Sequence, residues 1–268
     1  MSKITQIDIQ NEFAKRSKKK PSKLLVAVAR WFLLEDWVNK MLRKVGEAEN
    51  LDFMAKALDA LDIKVVVKGE ENLPSPDSRT MFVCNHPLGG MDVLSACKAV
   101  TPACSKGLLI PANDLLMQLT SIKNMLIPVN KMGGQHKDLL EKINAAYASD
   151  SQLMFFPAGK VSRKHPDGIY DDEWKKNFVS KSVEFQRNVI PIHIDAKNSP
   201  FFYRLAKWRV KLGIKLNIEM LFLVRETRKQ QNKTITVTIG KPIPWQTFDA
   251  TQTAYRWAQE VRKQVYEL

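Results

Sequence analysis

The chain has 268 residues, 44% of them hydrophobic, and its 42 Lys and Arg exceed 28 Asp and Glu to give a net charge of +14. That is enough chain to bury the core of one domain with an appendage, and the charge points to acidic partners. The three cysteines, Cys84, Cys97 and Cys104, are an odd set, and no Cys-x2-Cys or His-x3-His pair occurs, which argues against a zinc centre and for reduced thiols in a cytosolic compartment.

The amino end is polar and basic, with eleven Lys or Arg against six acidic residues through Glu49. Lys18-Lys19-Lys20-Pro21-Ser22-Lys23 runs directly into the apolar stretch 24–34. A signal peptide would continue into small residues ahead of a cleavage site, whereas Glu35-Asp36-Trp37 follows here. Spanning a bilayer takes about 20 apolar residues, more than this run supplies. The amphipathic pattern continues through Trp37, Val38, Met41, Leu42 and Val45, and two readings fit it. One is a helix in the membrane interface, with Lys40, Arg43 and Lys44 reaching anionic head groups and Trp31 and Trp37 at the depth that indoles favour. The other is an amphipathic helix packed on the rest of the protein.

Further along, apolar periodicity predicts a helix over 51–61, a strand over 63–67, a solvated turn over 70–78 and a strand over 81–84. It then predicts a helix over 92–100, a strand over 108–110, a helix over 114–120 and a strand over 125–129. Gly133-Gly134 reads as a turn, 137–148 as a helix and 152–156 as a strongly apolar strand. Asp171 or Asp172 is placed to cap a helix that runs to about residue 187. The stretch 201–215 mixes Phe201, Phe202, Tyr203 and Trp208 with five cations, and over 207–212 its spacing fits a strand as well as a helix. Residues 196–230 hold nine basic and two acidic side chains, a patch suited to an anionic bilayer, and no nucleic-acid-binding motif accompanies it. A strand over 234–239 and a helix over 254–266 close the chain. Strands alternating with helices define an α/β layered domain, with no repeat period.

Two bends carry the chemistry. In Asn85-His86-Pro87-Leu88-Gly89-Gly90-Met91-Asp92, a buried strand delivers a histidine and then an aspartate. Six residues correspond to roughly 240° around a regular helix, so His86 and Asp92 meet only if the chain between them bends. Pro87 keeps His86 extended, and Gly89-Gly90 admits positive φ at little cost. An aspartate so placed orients one imidazole nitrogen and leaves the other as a base. The second bend, Phe156-Pro157-Ala158-Gly159-Lys160-Val161-Ser162-Arg163, follows the strand over 152–156 at its carboxyl end, where α/β sheets place ligands. Gly159 lets backbone approach a substrate, and Ser162 and Arg163 suit an anionic or polar head group. His165 and His193 read as structural or surface residues, and His136 has no identifiable partner.

These blocks resemble those of the glycerolipid and lysophospholipid acyltransferase superfamily, the 1-acylglycerol-3-phosphate O-acyltransferase group. Asn85-His86…Asp92 is similar to its His-x4-Asp block with one extra residue, and Phe156-Pro157-Ala158-Gly159…Ser162-Arg163 to its Phe-Pro-Glu-Gly-Thr-Arg-Ser block. Ile127-Pro128-Val129-Asn130-Lys131 and Val189-Ile190-Pro191-Ile192-His193 stand where the second and fourth blocks lie. The combination is closest to the branch of ornithine-lipid and glycine-lipid O-acyltransferases and haemolysin-like proteins.

The resemblance implies a mixed central sheet flanked by helices, with 1–50 as a basic, amphipathic, membrane-associating segment and 51–268 as the acyltransferase domain, and it favours a helix over 201–215. It implies His86 and Asp92 as the catalytic pair. It implies Asn85, Gly89, Gly90, Lys131, Pro157, Gly159, Lys160, Ser162 and Arg163 as substrate-binding residues, with oxyanion donors in the Gly-rich bend. No metal or cofactor is implied; acyl carrier protein or CoA thioester serves as co-substrate, and no Gly-x-Ser-x-Gly elbow for a serine nucleophile is present. The partners implied are an anionic membrane surface and a lysolipid acceptor, at the cytoplasmic face of the inner membrane. Three departures count against simple lysophosphatidic acid specificity: the longer His-to-Asp spacing, Ala158 in place of the block-three glutamate, and Lys131 where relatives often have arginine, which loses a bidentate fork. They favour an amino-acid-containing lysolipid; the alternatives are a lysophosphatidic acid acyltransferase, or a non-catalytic binder of membrane or nucleic acid.

Overall fold

The computed structural model describes residues 6–11, 22–112, 119–128 and 136–268, with side chains except over 136–140. Lys18 to Lys20, most of the predicted helix over 114–120, Lys131 and Gly133-Gly134 lie outside the described residues, as does the side chain of His136.

The strands are β1 (Lys64–Lys68), β2 (Thr80–Cys84), β3 (Leu108–Ala112), β4 (Leu126–Pro128), β5 (Gln152–Phe155), β6 (Arg163–Lys164), β7 (Ile169–Tyr170), β8 (Asn188–Asp195) and β9 (Thr234–Ile239). The helices are α1 (Lys23–Phe32), α2 (Glu35–Val45), α3 (Asn50–Ala60), α4 (Gly90–Val100), α5 (His136–Ala148), α6 (Asn177–Phe185), α7 (Pro200–Lys211), α8 (Leu223–Lys229) and α9 (Ala254–Tyr266). Seven strands form one mixed sheet in the order β1-β9-β8-β2-β5-β3-β4, and β6 and β7 make a separate two-stranded ribbon. All neighbours in the large sheet run parallel except β8 and β9, which are antiparallel.

All five residues of β2 are buried, as expected of a parallel strand covered on both faces. Alternation along it separates two cores: Phe82 and Cys84 pack toward the side of α3 and α4, and Met81 and Val83 toward Trp174, Phe178 and the apolar face of α9. Because β2 and β5 are adjacent and parallel, the bends that follow Cys84 and Phe155 leave the sheet at the same end. That juxtaposition builds the site.

Two sequence expectations are corrected. The amino-terminal amphipathic run is two helices, broken where Leu34 takes φ +55°, an unfavourable left-handed conformation for a leucine. Of the two, α2 packs on the domain: Leu42 and Val45 share a core with Phe53 and Met54 across residue 50. By contrast, α1 leaves Leu24, Leu25, Val28 and Trp31 exposed. Neither Asp171 nor Asp172 caps the helix that follows, since α6 begins at Asn177 after Lys176. Both aspartates have other partners, described below. The aromatic and cationic stretch is helical over α7.

A buried arginine braces the sheet. Among the described residues Arg187 has no carboxylate as a hydrogen-bond partner; its guanidinium donates to the carbonyls of Tyr147 and Ser151 at 2.8 Å each and to that of Ser149, tying down the chain that leaves α5. Burial lowers its pKa to about 10.

Candidate active site

The bend after β2 brings the predicted pair together. His86 Nδ1 stands 2.9 Å from Asp92 Oδ2, approached off the line of the ring N–H. Asp92 lies at the third position of α4 and accepts the backbone N–H of Gly89 at 2.8 Å and of Leu88 at 2.9 Å, which closes the loop and caps the helix. Gly89 takes φ +89°, the conformation for which a glycine is required here. Asp92 is fully buried, and its desolvation outweighs His86 and the two N–H donors, so its pKa is raised above the ordinary carboxylate value. The ring of His86 rests on Phe156 with centroids 4.8 Å apart. With Nδ1 toward Asp92, Nε2 is the nitrogen left for a substrate.

A second buried carboxylate holds the same histidine from behind. Both oxygens of Asp171 lie 3.2 Å from the backbone N–H of His86. They also accept the hydroxyl of Ser162 at 2.6 Å and the indole N–H of Trp174 at 2.9 Å. The N–H of Ser162 donates in turn to the carbonyl of His86 at 2.8 Å, stitching the two bends together. From α9, Tyr266 accepts the N–H of Asp171 at 2.7 Å and Arg262 donates to its carbonyl.

A cavity of about 850 Å³ opens beside this pair, within the range of small-molecule sites. His86, Gly90, Phe156, Pro157 and Gly159 line it where it meets the bends, and it runs on between α2, α3 and the strands past Trp37, Met54 and Ile110. Its walls are mostly apolar, a lining that suits a fatty acyl chain.

The structure separates the remaining sequence-predicted residues. Pro157, Gly159 and Gly90 line the cavity, and a methyl group at Gly90 would meet nothing within 4 Å. The N–H groups of Leu88 and Gly89 serve Asp92, so they are not free for an oxyanion. Asn85 does not face a ligand: its amide donates to the carbonyl of Ile194 at 3.0 Å and accepts its N–H at 2.7 Å, extending the pairing of β2 with β8. The Ser162 hydroxyl is buried on Asp171. Arg163 is bound to Glu219 at 2.9 Å, and Glu219 to Arg209 at 2.9 Å, a largely buried charge cluster. Lys160 is half exposed and pairs with Asp172 at 2.5 Å. Each of these residues has the chemistry expected of a ligand-binding group, but protein partners already hold it. Lys131 lies outside the described residues. His165 stacks on Tyr170 at 4.0 Å, and His193 packs on Tyr266, in keeping with structural roles. Asp171 was missed as a site residue, because nothing local to it marks a contact with His86. Among the described residues no group of His, Cys, Asp and Glu is arranged to hold a metal ion.

A histidine–aspartate pair stands at the end of parallel strands and faces a mostly apolar cavity, and the chain belongs to the acyltransferase family, whose model matches residues 13–268. It is an acyltransferase. Two curated relatives carry the name lyso-glycine lipid O-acyltransferase. The protein from Phocaeicola vulgatus is 42% identical over 99% of this chain and 96% of its own length. That from Bacteroides thetaiotaomicron is 42% identical over 92% of this chain and 90% of its own. Among solved structures, the 1-acyl-sn-glycerophosphate acyltransferase PlsC from Thermotoga maritima shares the fold with a TM-score of 0.52, at 17% identity, over 91% of this chain and 88% of that one.

Proposed function

We infer that this acyltransferase moves a fatty acyl group from a thioester donor, acyl carrier protein or CoA, onto the hydroxyl of an amino-acid-containing lysolipid of the glycine or ornithine type. The observation that carries the reading is His86, backed by Asp92, opening onto an apolar cavity. The 42% identity to two lyso-glycine lipid O-acyltransferases supports the acceptor. Nε2 of His86 removes the proton of the acceptor hydroxyl as its oxygen attacks the thioester carbonyl, and Asp92 stabilises the imidazolium. The tetrahedral oxyanion collapses, the C–S bond breaks, and the thiolate takes the proton from the imidazolium. The products are an ester and a free thiol.

We propose that the reaction runs at the cytoplasmic face of the inner membrane, with the protein peripheral. No helix among the described residues is long and apolar enough to cross a membrane. Instead, α1 and the segment 208–221 expose large apolar side chains, among them Leu24, Trp31, Trp208, Leu212 and Leu216. The two are joined: the rings of Phe32 and Phe222 meet at 4.8 Å, and Arg225 lies 4.7 Å over Trp31 while donating to the carbonyl of Phe32. Apolar side chains among cations suit an anionic lipid surface, and the same positive charge suits an acidic carrier protein.

His86→Ala tests the reading. It should abolish acyl transfer to lysolipid while leaving liposome binding intact, and continued product formation would show that His86 is not the base. Mass spectrometry of lipids from cells with and without the gene tests the acceptor. Loss of diacylated aminolipids with phosphatidic acid unchanged is expected, and the reverse would favour lysophosphatidic acid.

A further inference from the structure

Arg163 and Lys160, two cations that sequence reasoning places at the acceptor head group, are engaged by Glu219 and Asp172. Lys175 is not engaged in this way. It lines the cavity together with His86, Pro157 and Gly159, and no other Lys or Arg among the described residues does so. It is exposed and takes part in no ion pair among them. The backbone N–H of Lys175 donates to the carbonyl of Pro157 at 3.1 Å, so the side chain starts from the second bend itself. Its ammonium then reaches back over Gly159, where a methyl group would stand 2.9 Å from Nζ. Gly159 holds φ +66°, a backbone conformation that calls for glycine. The result is a single ammonium at the mouth of a mostly apolar cavity, beside His86.

We propose that Lys175 binds the free carboxylate of the acceptor and so selects its head group. The proposal rests on the amino-acid lysolipid reading above. An amino acid acylated on its nitrogen retains one carboxylate, and one compact ammonium matches a monoanion; a phosphate monoester, with more charge and three oxygens, is better served by a guanidinium fork.

The test uses the full-length protein, an acyl thioester and two acceptors, an N-(hydroxyacyl)glycine and its methyl ester. Wild type should prefer the free acid by about tenfold in kcat/KM, the size of a charge-assisted contact open to solvent. Lys175→Gln should erase that preference by raising KM for the free acid with little change in kcat, Lys175→Arg should keep most of it, and Lys175→Glu should reverse it. Because Lys175 is exposed, all three variants should melt as wild type does. A preference that persists in Lys175→Gln overturns the assignment, as does a wild type that takes acid and ester equally well. A wild type active on neither acceptor overturns the acceptor reading itself, and this proposal with it.

Discussion

Replacing Asp171 with Asn asks whether that carboxylate holds the main chain of His86, the proposed base. In the native structure it accepts three donors, the N–H of His86, the hydroxyl of Ser162 and the indole N–H of Trp174. The best an amide can do is turn its oxygen to Trp174, which can only donate, and its NH2 to Ser162, whose hydroxyl can rotate to accept. The N–H of His86 then faces an amide nitrogen on one side and a shared oxygen on the other. Three charge-assisted hydrogen bonds become two neutral ones and a poor third, each worth about 1 kcal/mol less. Relief from burying a charge offsets part of this, leaving a net loss of about 2–3 kcal/mol. In a chain of 268 residues that lowers Tm by about 5–10 °C. Since His86 is held through its backbone, kcat should fall by at least about tenfold even at temperatures where the variant is folded. Ser162→Ala, which removes only one donor, should show a smaller drop in Tm and leave KM for the acceptor unchanged. Differential scanning fluorimetry and steady-state kinetics measure both effects. An Asp171→Asn protein that melts with wild type and turns over at the wild-type rate would refute the assignment.

Asp92→Asn should cost on the order of a hundredfold or more in kcat, because the imidazole loses its orienting carboxylate. The stability of that variant should depend on pH in a defined direction. Burial raises the Asp92 pKa in the folded state, so the folded protein takes up this proton more readily than the unfolded chain does, and wild type should gain stability relative to Asp92→Asn as pH falls from 7 through the carboxylate range. Urea titrations at several pH values read the difference, and a gap that is constant or widens the other way would contradict the sign. Thiol reagents should label none of Cys84, Cys97 and Cys104 in the native protein and all three in denaturant, because burial raises all of their pKa values, that of Cys104 to about 12. Rapid native labelling at pH 8 would show that this core opens. Trp208→Ser and Leu216→Ser, at side chains 64% and 70% exposed, should each weaken binding to anionic vesicles by about tenfold while sparing turnover of detergent-dispersed acceptor. Unchanged co-sedimentation would remove 208–221 from the docking surface.

Six of the sheet's seven strands were legible as short apolar runs between breakers; β8, with Pro191 and His193 inside it, was not. Runs such as Met81-Phe82-Val83-Cys84 and Gln152-Leu153-Met154-Phe155 fall within a residue or two of the observed strands. The kink between His86 and Asp92 was legible for a different reason: their spacing excludes a helix, and Pro87 and the glycine pair supply the bend. What could not be read was which polar groups the fold would already occupy. Asn85, Ser162 and Arg163 carry the chemistry of ligand-binding residues, but their partners, Ile194, Asp171 and Glu219, become neighbours only when distant strands and helices pack. Asp171 is the same case in reverse. It looks like a helix cap from its neighbours, and it becomes a brace for His86 across 85 residues of sequence. The break at Leu34 has no local signal either, since neither glycine nor proline marks it.

Ala158 and Asp171 together show how the second bend is held where similar blocks carry a glutamate. Ala158 is 7% exposed and sits in the apolar cluster of Trp174 and Phe178, where a carboxylate side chain would be desolvated. The carboxylate nearest the histidine in this region enters instead from the segment between β7 and α6, and it arrives with its own support. The indole of Trp174 and the hydroxyl of Ser162 bind its side chain, while Tyr266 and Arg262 bind its backbone. Tyr266 is the last residue of α9, so the chain's closing helix is mechanically part of the site. Tyr266→Phe removes only the hydroxyl that accepts the Asp171 N–H. It should therefore leave the apolar face of α9 in place and lower kcat more than its modest effect on Tm would suggest. Equal kcat in Tyr266→Phe and wild type would mean that Ser162 and Trp174 alone are enough to hold Asp171 against His86.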